Sequence, residues 1–436
     1  MANKTMMEKA PKDILNAFDG ILDNLVEGQE YDALPPRGPV DLAFSSVSDG
    51  ELKSLDQDIY GQDEEENIGL PIADDRIKLV ETSPIKEVLL PTEDQLDGLN
   101  IIGICGSNSR LLTTSFHMIL ARSSIVNFKY TRGFEKPYFY TKNRDASALL
   151  VLDNNIFNSA YTLHTYNELI NRTDSPIYDH LTKCKGRPFI FKYNYEKFKK
   201  APGSQSLGLA VKFQHSLELL SIEDIEIDND SPLVCIKDGA LFSNSSQPID
   251  IQNGLQKLFS WSNKKKTYIA LSSKIAESRV LINALNKFPH LIEDYFPNQN
   301  ITVGIINSFG TDSLLLKKIL KPGFRTPLIE YIEITREPII KQPGLEGLKP
   351  LTCYYHKRTK PYNFIRIEIP KFMWDESPER IEFAISAAIW QYELGGDRPL
   401  VIKAAGERCT LDHEHWIIDQ QMKAAFEKKN LGLIEF

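Results

Sequence analysis

The sequence is short of several things that would settle its class at once. It has 5 cysteines in 436 residues. These are Cys105, Cys184, Cys235, Cys353 and Cys409, odd in number, widely spaced and without a CxxC pair. That excludes a zinc ribbon and a disulfide framework. No stretch reaches the roughly 18 consecutive apolar residues that a bilayer span needs. The start, Met1 to Lys9, lacks the apolar core of a signal peptide. The expectation is a cytoplasmic protein with reduced thiols and no membrane partner. No segment reads HExxH, and no Gly-rich turn ends in Gly-Lys-Ser/Thr, so zincin and P-loop chemistries fall away. There is no excess of positive charge either. Lysine and arginine number 51 against 59 aspartates and glutamates, a net charge of −8. This argues against a wholly basic nucleic-acid coat but leaves room for a local basic channel.

What remains is an ordinary globular composition, 42% hydrophobic and 25% charged. The length suits two or three domains, or one core with large insertions. Residues 11–27 read as an amphipathic helix, with Ile14, Leu15, Phe18, Leu22 and Leu25 near one face. It can dock on a partner or on its own core. Residues 28–75 carry Leu34-Pro35-Pro36-Arg37-Gly38-Pro39 and the acidic run Asp63-Glu64-Glu65-Glu66, which suits an extended arm. The division is therefore an N-terminal helix and acidic flexible arm over 1–95, then an α/β body over 96–436. Strands are expected at 99–105, 147–152, 188–193, 232–237, 267–272, 301–307, 328–335 and 363–369. Helices are expected at 158–171, 205–221, 250–262, 275–286, 312–319, 378–394 and 412–429. Residues 345–361 read as a loop, rich in Gly, Pro and Lys. The order of elements predicts a mixed sheet with helices on its faces.

Two segments share one design, an apolar strand running into a Gly turn. One runs from Leu99 through Cys105-Gly106-Ser107 to Arg110; the other is Leu233 to Leu241, with Asp238 before Gly239. A carboxylate at such a strand end is held rigidly, although an ordinary Asp-Gly turn reads the same way. Glu218 lies on a helical stretch just upstream and can aim at the same spot, or simply face solvent. A hard cation, Mn²⁺ or Mg²⁺, takes one or two carboxylates plus water and substrate phosphate, which makes Asp238 and Glu218 the candidate metal ligands. Lys274 ends another strand, where it can offset phosphate charge or be a solvated surface lysine. His413 and His415 are separated by one residue, so on a helix they diverge; either can act as a general acid, or the segment is a capped polar helix start. Ser107 and Arg110 offer phosphate donors. Two basic-aromatic stretches suit single-stranded DNA, with Lys129 and Arg132 in the first and Lys357 and Arg358 in the second. The competing reading of both is a half-buried ribbon with lysines on its wet face.

Taken in order, these segments resemble the NurA nuclease family. The matching residues are Ile101 to Ser107, Glu218, Asp238-Gly239-Ala240-Leu241, Ser273-Lys274, the strand Phe364 to Pro370, and Gly396 to Leu400 followed by a long helix. The resemblance spans roughly residues 96–430. It implies an RNase H-like core, a Mn²⁺-dependent nuclease that processes DNA ends, a homodimer, and a HerA-type hexameric ATPase as partner, in DNA repair or antiphage defence. The chain departs from the family where Asp is expected before Gly-Ser, because Cys105 stands there. Gly396 and Ala404 stand near the expected Tyr and His. A thiolate is a soft ligand, ill suited to Mn²⁺ or Mg²⁺. Two readings follow: a working, divergent nuclease, and a catalytically impaired DNA-binding or scaffold subunit. The survival of Glu218, Asp238 and Lys274 in order favours the first. That reading requires Glu218, Asp238 and residue 105 to converge on one acidic hollow.

Overall fold

The computed structural model describes residues 43–44, 76–81, 83, 85–112, 116–131, 144–153, 162–166, 210–211, 214–215, 218–219, 221–225, 231–242, 257–262, 264–273, 275, 278–332, 340–341, 344–361 and 363–410. Their centre is a 13-stranded mixed sheet. In chain order its strands are β1 (Ala43–Phe44), β2 (Ile77–Leu79), β3 (Lys86–Glu87), β4 (Asn100–Leu112), β5 (Phe116–Lys129), β6 (Arg144–Asp153), β7 (Thr162–Tyr166), β8 (Leu233–Asp238), β9 (Lys266–Ser272), β10 (Phe324–Arg325), β11 (Ile329–Tyr331), β12 (Pro350–His356) and β13 (Phe364–Pro370). The helices are α1 (Glu93–Leu96), α2 (Val280–Lys287), α3 (His290–Tyr295), α4 (Val303–Ser308), α5 (Asp312–Ile319), α6 (Lys371–Glu376), α7 (Pro378–Gly395) and α8 (Leu400–Cys409).

The main path across the sheet is β2-β11-β12-β13-β9-β8-β4-β5-β6-β7. Only the centre is parallel: β4 runs with β8, and β8 with β9. Parallel strands covered on both faces read as continuous apolar runs. Here Leu233, Val234, Cys235 and Ile236 are all buried, as are Tyr268, Ile269, Ala270 and Leu271. The two flanks are antiparallel meanders.

Helices α7 and α8 pack on the centre, α7 against β8 and β9, α8 against β4 and β5. Helix α7 starts where the side chain of Ser377 accepts from Arg380 N, with Pro378 in the first turn. Such a cap is worth about 1 kcal/mol. Its buried face is Ile381, Ala384, Ile385, Ala388, Ile389 and Tyr392, spaced for one side of a helix. A second core lies among α2, α3, α5, the edge strand β2 and its neighbour β11, including Leu281, Leu285, Leu291, Leu315, Leu316 and Ile329.

The expected α/β class with a mixed sheet holds, and several elements differ from expectation. Residues 301–307 form no strand; Val303–Ser308 is helical, because the Thr302 side chain accepts from Ile305 N and starts a turn. A short apolar run reads equally as strand or helix, and the cap decides it. The expected helix at 158–171 contains β7, paired along its length with β6. The expected loop at 345–361 contains β12, with seven residues in register with β13. Pro350 sits at its first position, where a missing N–H costs least. Strands β2 and β3 join the sheet by pairing with β11 and β10, so the body begins before residue 96. The expected elements at 11–27, 188–193 and 412–429 lie outside the described residues.

Candidate functional site

The site lies at the C-terminal ends of the parallel strands, the usual ligand position of α/β sheets. Register pairs Gly103 with Ile236 and Ile104 with Lys237. One step further along, Cys105 stands beside Asp238. The Cys105 thiol donates to Asp238 Oδ2 across 3.7 Å. This bond joins the two segments for which a strand and a Gly turn are expected; only the second turns, at Gly239, while β4 runs on in register with β5 through Gly106 and Ser107 to Leu112. The fold brings the two segments together, residue 105 lying where the parallel pairing with β8 stops rather than at a strand end.

Successive side chains on a strand point to opposite faces. Cys105 points to the α8 face, where its Sγ lies 3.7 Å from the place a Cβ on Gly406 would take. Asp238 shares that face, with Arg398 Nη1 at 3.8 Å from Oδ2. Gly106 and Lys237 point the other way. There the helical residues Gln214, His215 and Glu218 cover the sheet. A Cβ at Gly106 would lie 2.6 Å from Glu218 Oε1, so only glycine lets that carboxylate come so close. Gly239 has φ +86°, which turns the chain sharply after Asp238. Glu218 and Asp238 therefore approach the strand ends from opposite faces of the sheet.

Glu218 is 1% exposed and Lys237 0%. The Lys237 ammonium lies 2.6 Å from Glu218 Oε2 and donates to the main-chain carbonyl of Asp238 at 2.7 Å. His215 Nδ1 is 3.3 Å from the same Glu218 oxygen. Gln214 Nε2 donates to Glu218 Oε1 and to the Gly106 carbonyl, both at 2.9 Å. Burial alone would raise the Glu218 pKa, but the Lys237 and His215 charges and these hydrogen bonds outweigh it and hold the carboxyl at about 2. Asp238 behaves differently. Burial, reinforced by the Glu218 charge, raises its pKa, and Arg398, Lys237 and the Cys105 thiol offset this only in part. The hydrogen bond with Cys409, burial and the Asp238 charge hold the Cys105 thiol well above its ordinary range, so it stays protonated.

These groups do not fit Mn²⁺ or Mg²⁺. The one deeply buried carboxylate is already neutralised by an ammonium, the second reaches in from the other face, and the residue between them is a neutral thiol rather than an oxygen ligand. Among the described residues, no group of three or more His, Cys, Asp or Glu is arranged to hold a metal ion.

The other sequence candidates scatter. Ser107 donates to the Cys409 carbonyl, tying β4 to the end of α8. Arg110 lies on β4. Lys129 is exposed at the end of β5. Lys357 points inward: it is 1% exposed, donates to the Gly396 carbonyl and sits 5.1 Å from the Tyr392 ring centroid. An ammonium so enclosed cannot neutralise a phosphate, and its place beside Tyr392 explains why a basic run misled the reading. Arg358 donates to the Val88 carbonyl and lies 4.0 Å from Glu87. Lys274, Arg132, His413 and His415 lie outside the described residues. Sequence reasoning missed Lys237, His215, Gln214 and Arg398. Lys237 had a signal: a lysine inside an otherwise apolar strand, one residue before the aspartate.

No family model matches the chain, and no curated protein matches it. Among solved structures it is similar to the NurA nuclease from Sulfolobus solfataricus, at 11% identity and a TM-score of 0.37, over 87% of this chain and 97% of that one. A second NurA structure is similar at 8% identity and a TM-score of 0.33, over 83% and 94%. A likeness this loose carries no argument about chemistry. Among the described residues, no helix is long and apolar enough to cross a membrane.

Proposed function

We propose that this chain is a catalytically silent, NurA-like subunit of a DNA-processing assembly. In this reading it binds DNA ends as a homodimer and serves a HerA-type hexameric ATPase, in DNA repair or antiphage defence. The order of segments from Ile101 to Leu400 supports the class, as their resemblance implies. One observation supports the silent reading over the working nuclease: the thiol of Cys105 faces Asp238 where a metal-binding carboxylate would be needed. Losing that oxygen ligand removes the bridge between Asp238 and Glu218, which already reach the strand ends from opposite faces. Two-metal or one-metal hydrolysis needs hard oxygen ligands converging on the scissile phosphate.

The test is a paired assay on purified protein with linear DNA, with Mn²⁺ and with Mg²⁺, alone and with the ATPase. The expected result is retarded DNA in a mobility-shift gel and no cleavage above the level of an Asp238→Ala variant. Metal-dependent cleavage that Asp238→Ala abolishes would overturn the silent reading in favour of a working nuclease.

A further inference from the structure

We infer that the end of α5 and the β12–β13 hairpin together form a landing surface for the DNA backbone, with Lys317, Lys318, Lys321 and Lys360 as its phosphate contacts. All four lysines are exposed. Residues 313–323 and 356–363 contain no aspartate or glutamate, in a chain whose net charge is −8. The two segments meet. His356 Nδ1 lies 2.6 Å from the Leu320 carbonyl oxygen, and Gly323 N donates to the His356 carbonyl at 2.8 Å. The Glu393 carboxylate clamps the hairpin, accepting from Arg358 N and from the Thr359 hydroxyl, both at 2.8 Å. Within the clamped hairpin Lys357 is buried and Lys360 stays in water. Among the described residues, Lys86, Lys349 and Lys371 pair with carboxylates, whereas these four lysines pair with none. Lys317 and Lys318 sit in the last turn of α5, where the helix dipole favours cations. Lys321 and Lys360 lie beyond the helix, so the dipole does not account for them.

Placement links this surface to the strand ends. Strand β13 is antiparallel to β9, with Arg366 beside Ser272, so the hairpin before it projects past the edge where β9 ends. Asp238 stands on that edge, beside Leu271. Lys357 holds the Gly396 carbonyl, and Arg398 in the same loop reaches Asp238. The chemistry favours nucleic acid over a protein partner. Protein interfaces are poor in lysine and rich in aromatic anchors. Within 317–323 and 356–361 no large hydrophobic side chain is exposed. Lysines on a fixed frame hold phosphates without reading bases.

This inference deepens the DNA-binding part of the proposed function and rests on it. The test uses the full chain and a labelled linear duplex, with affinity followed by fluorescence anisotropy over a series of salt concentrations. Wild type is compared with Lys317→Gln, Lys318→Gln and Lys321→Gln together, with Lys360→Gln alone, and with all four combined. Lys265→Gln is the control, an exposed lysine just before β9, at the opposite edge of the parallel strands. Thermal melting checks that each variant is folded. The combined variant is expected to bind at least about tenfold more weakly at physiological salt, alike for any sequence, and its slope of log affinity against log salt should fall in magnitude by about 3–4. Lys360→Gln alone should lower the slope by about 1, and Lys265→Gln should change neither. The inference is overturned if the folded combined variant keeps the affinity and slope of wild type, or if Lys265→Gln weakens binding as much. Loss of association with the ATPase while DNA binding stays intact would make the surface a protein interface and overturn it too. A wild type that binds no DNA at any salt would strike the proposed function as well, whereas DNA cleavage by the wild type would strike only the silent reading.

Discussion

The Glu218 centre and the Asp312 centre each bury a carboxylate, at 1% and 0% exposure, and each ties a helical turn to its surroundings. They are neutralised by opposite means. Asp312 opens α5 and accepts from Leu281 N at 3.1 Å, Ile282 N at 2.9 Å, the Ser278 hydroxyl at 2.8 Å and the Tyr354 hydroxyl at 2.7 Å. All four donors are neutral. Burial wins over them, and the pKa of Asp312 rises. Glu218 has a lysine against it instead, and its pKa falls to about 2. Burying a second charge is costly, because the ammonium loses its water as well. The Asp312 centre demonstrates that this chain can bury a carboxylate for architecture without a cation. Glu218 takes a buried lysine instead, as Glu81 takes Arg325, which is itself 0% exposed.

The largest break in the comparison comes from removing one member of the ion pair. Glu218→Gln leaves the Lys237 ammonium buried and uncompensated, and the expected loss is about 3–5 kcal/mol of unfolding free energy. Adding Lys237→Met to Glu218→Gln should restore most of that loss, a coupling that a double-mutant cycle in urea measures directly. A single variant as stable as wild type would mean that the pair does not hold the helical turn to β8. Asp312→Asn should cost less, about 2–3 kcal/mol, since an amide turns an NH₂ toward groups that themselves donate. No partner substitution should rescue it, because its partners include two backbone N–H groups. Rescue of Asp312→Asn by Ser278→Ala would erase the distinction between the two centres.

The parallel centre of the sheet was legible in the sequence because it depends on local pattern. Leu233 to Ile236 and Tyr268 to Leu271 are apolar runs with turns after them, and they are strands. Strand β12 was hidden because Gly347 before it, Pro350 at its first position and Lys357 to Pro361 after it carry loop chemistry, while pairing with β13 is a long-range effect. The site was half legible. The neighbourhood of residue 105 and Asp238 was legible from two apolar runs of like design, but the turn expected at Gly106 was not, since pairing with β5 carries β4 on to Leu112. The face each side chain takes did not, since a Glu on a helix says nothing about which side of the sheet that helix covers. Lys237 was passed over because a lysine is read as solvated unless burial is known. Lys357 failed in the same way, read as a phosphate contact while its ammonium lies over Tyr392.

The finest separation of the two centres is in acid, where their signs differ. Glu218 has an ordinary value of 4.5 and a folded value of about 2. The folded state thus binds fewer protons than the unfolded chain in that window. Its stabilising contribution is complete above the ordinary value and is lost as pH falls from 4.5 towards 2. Asp312 is raised above its ordinary 3.8, so the folded state binds the extra proton, and acidification through its folded value adds stability. Urea unfolding at a series of pH values below neutrality should show Glu218→Gln flattening the acid loss of stability and Asp312→Asn steepening it. Identical acid slopes in both variants would mean that neither carboxyl differs in proton affinity between folded and unfolded chains, and the contrast between a lysine-paired and a neutrally held carboxylate would have no energetic content.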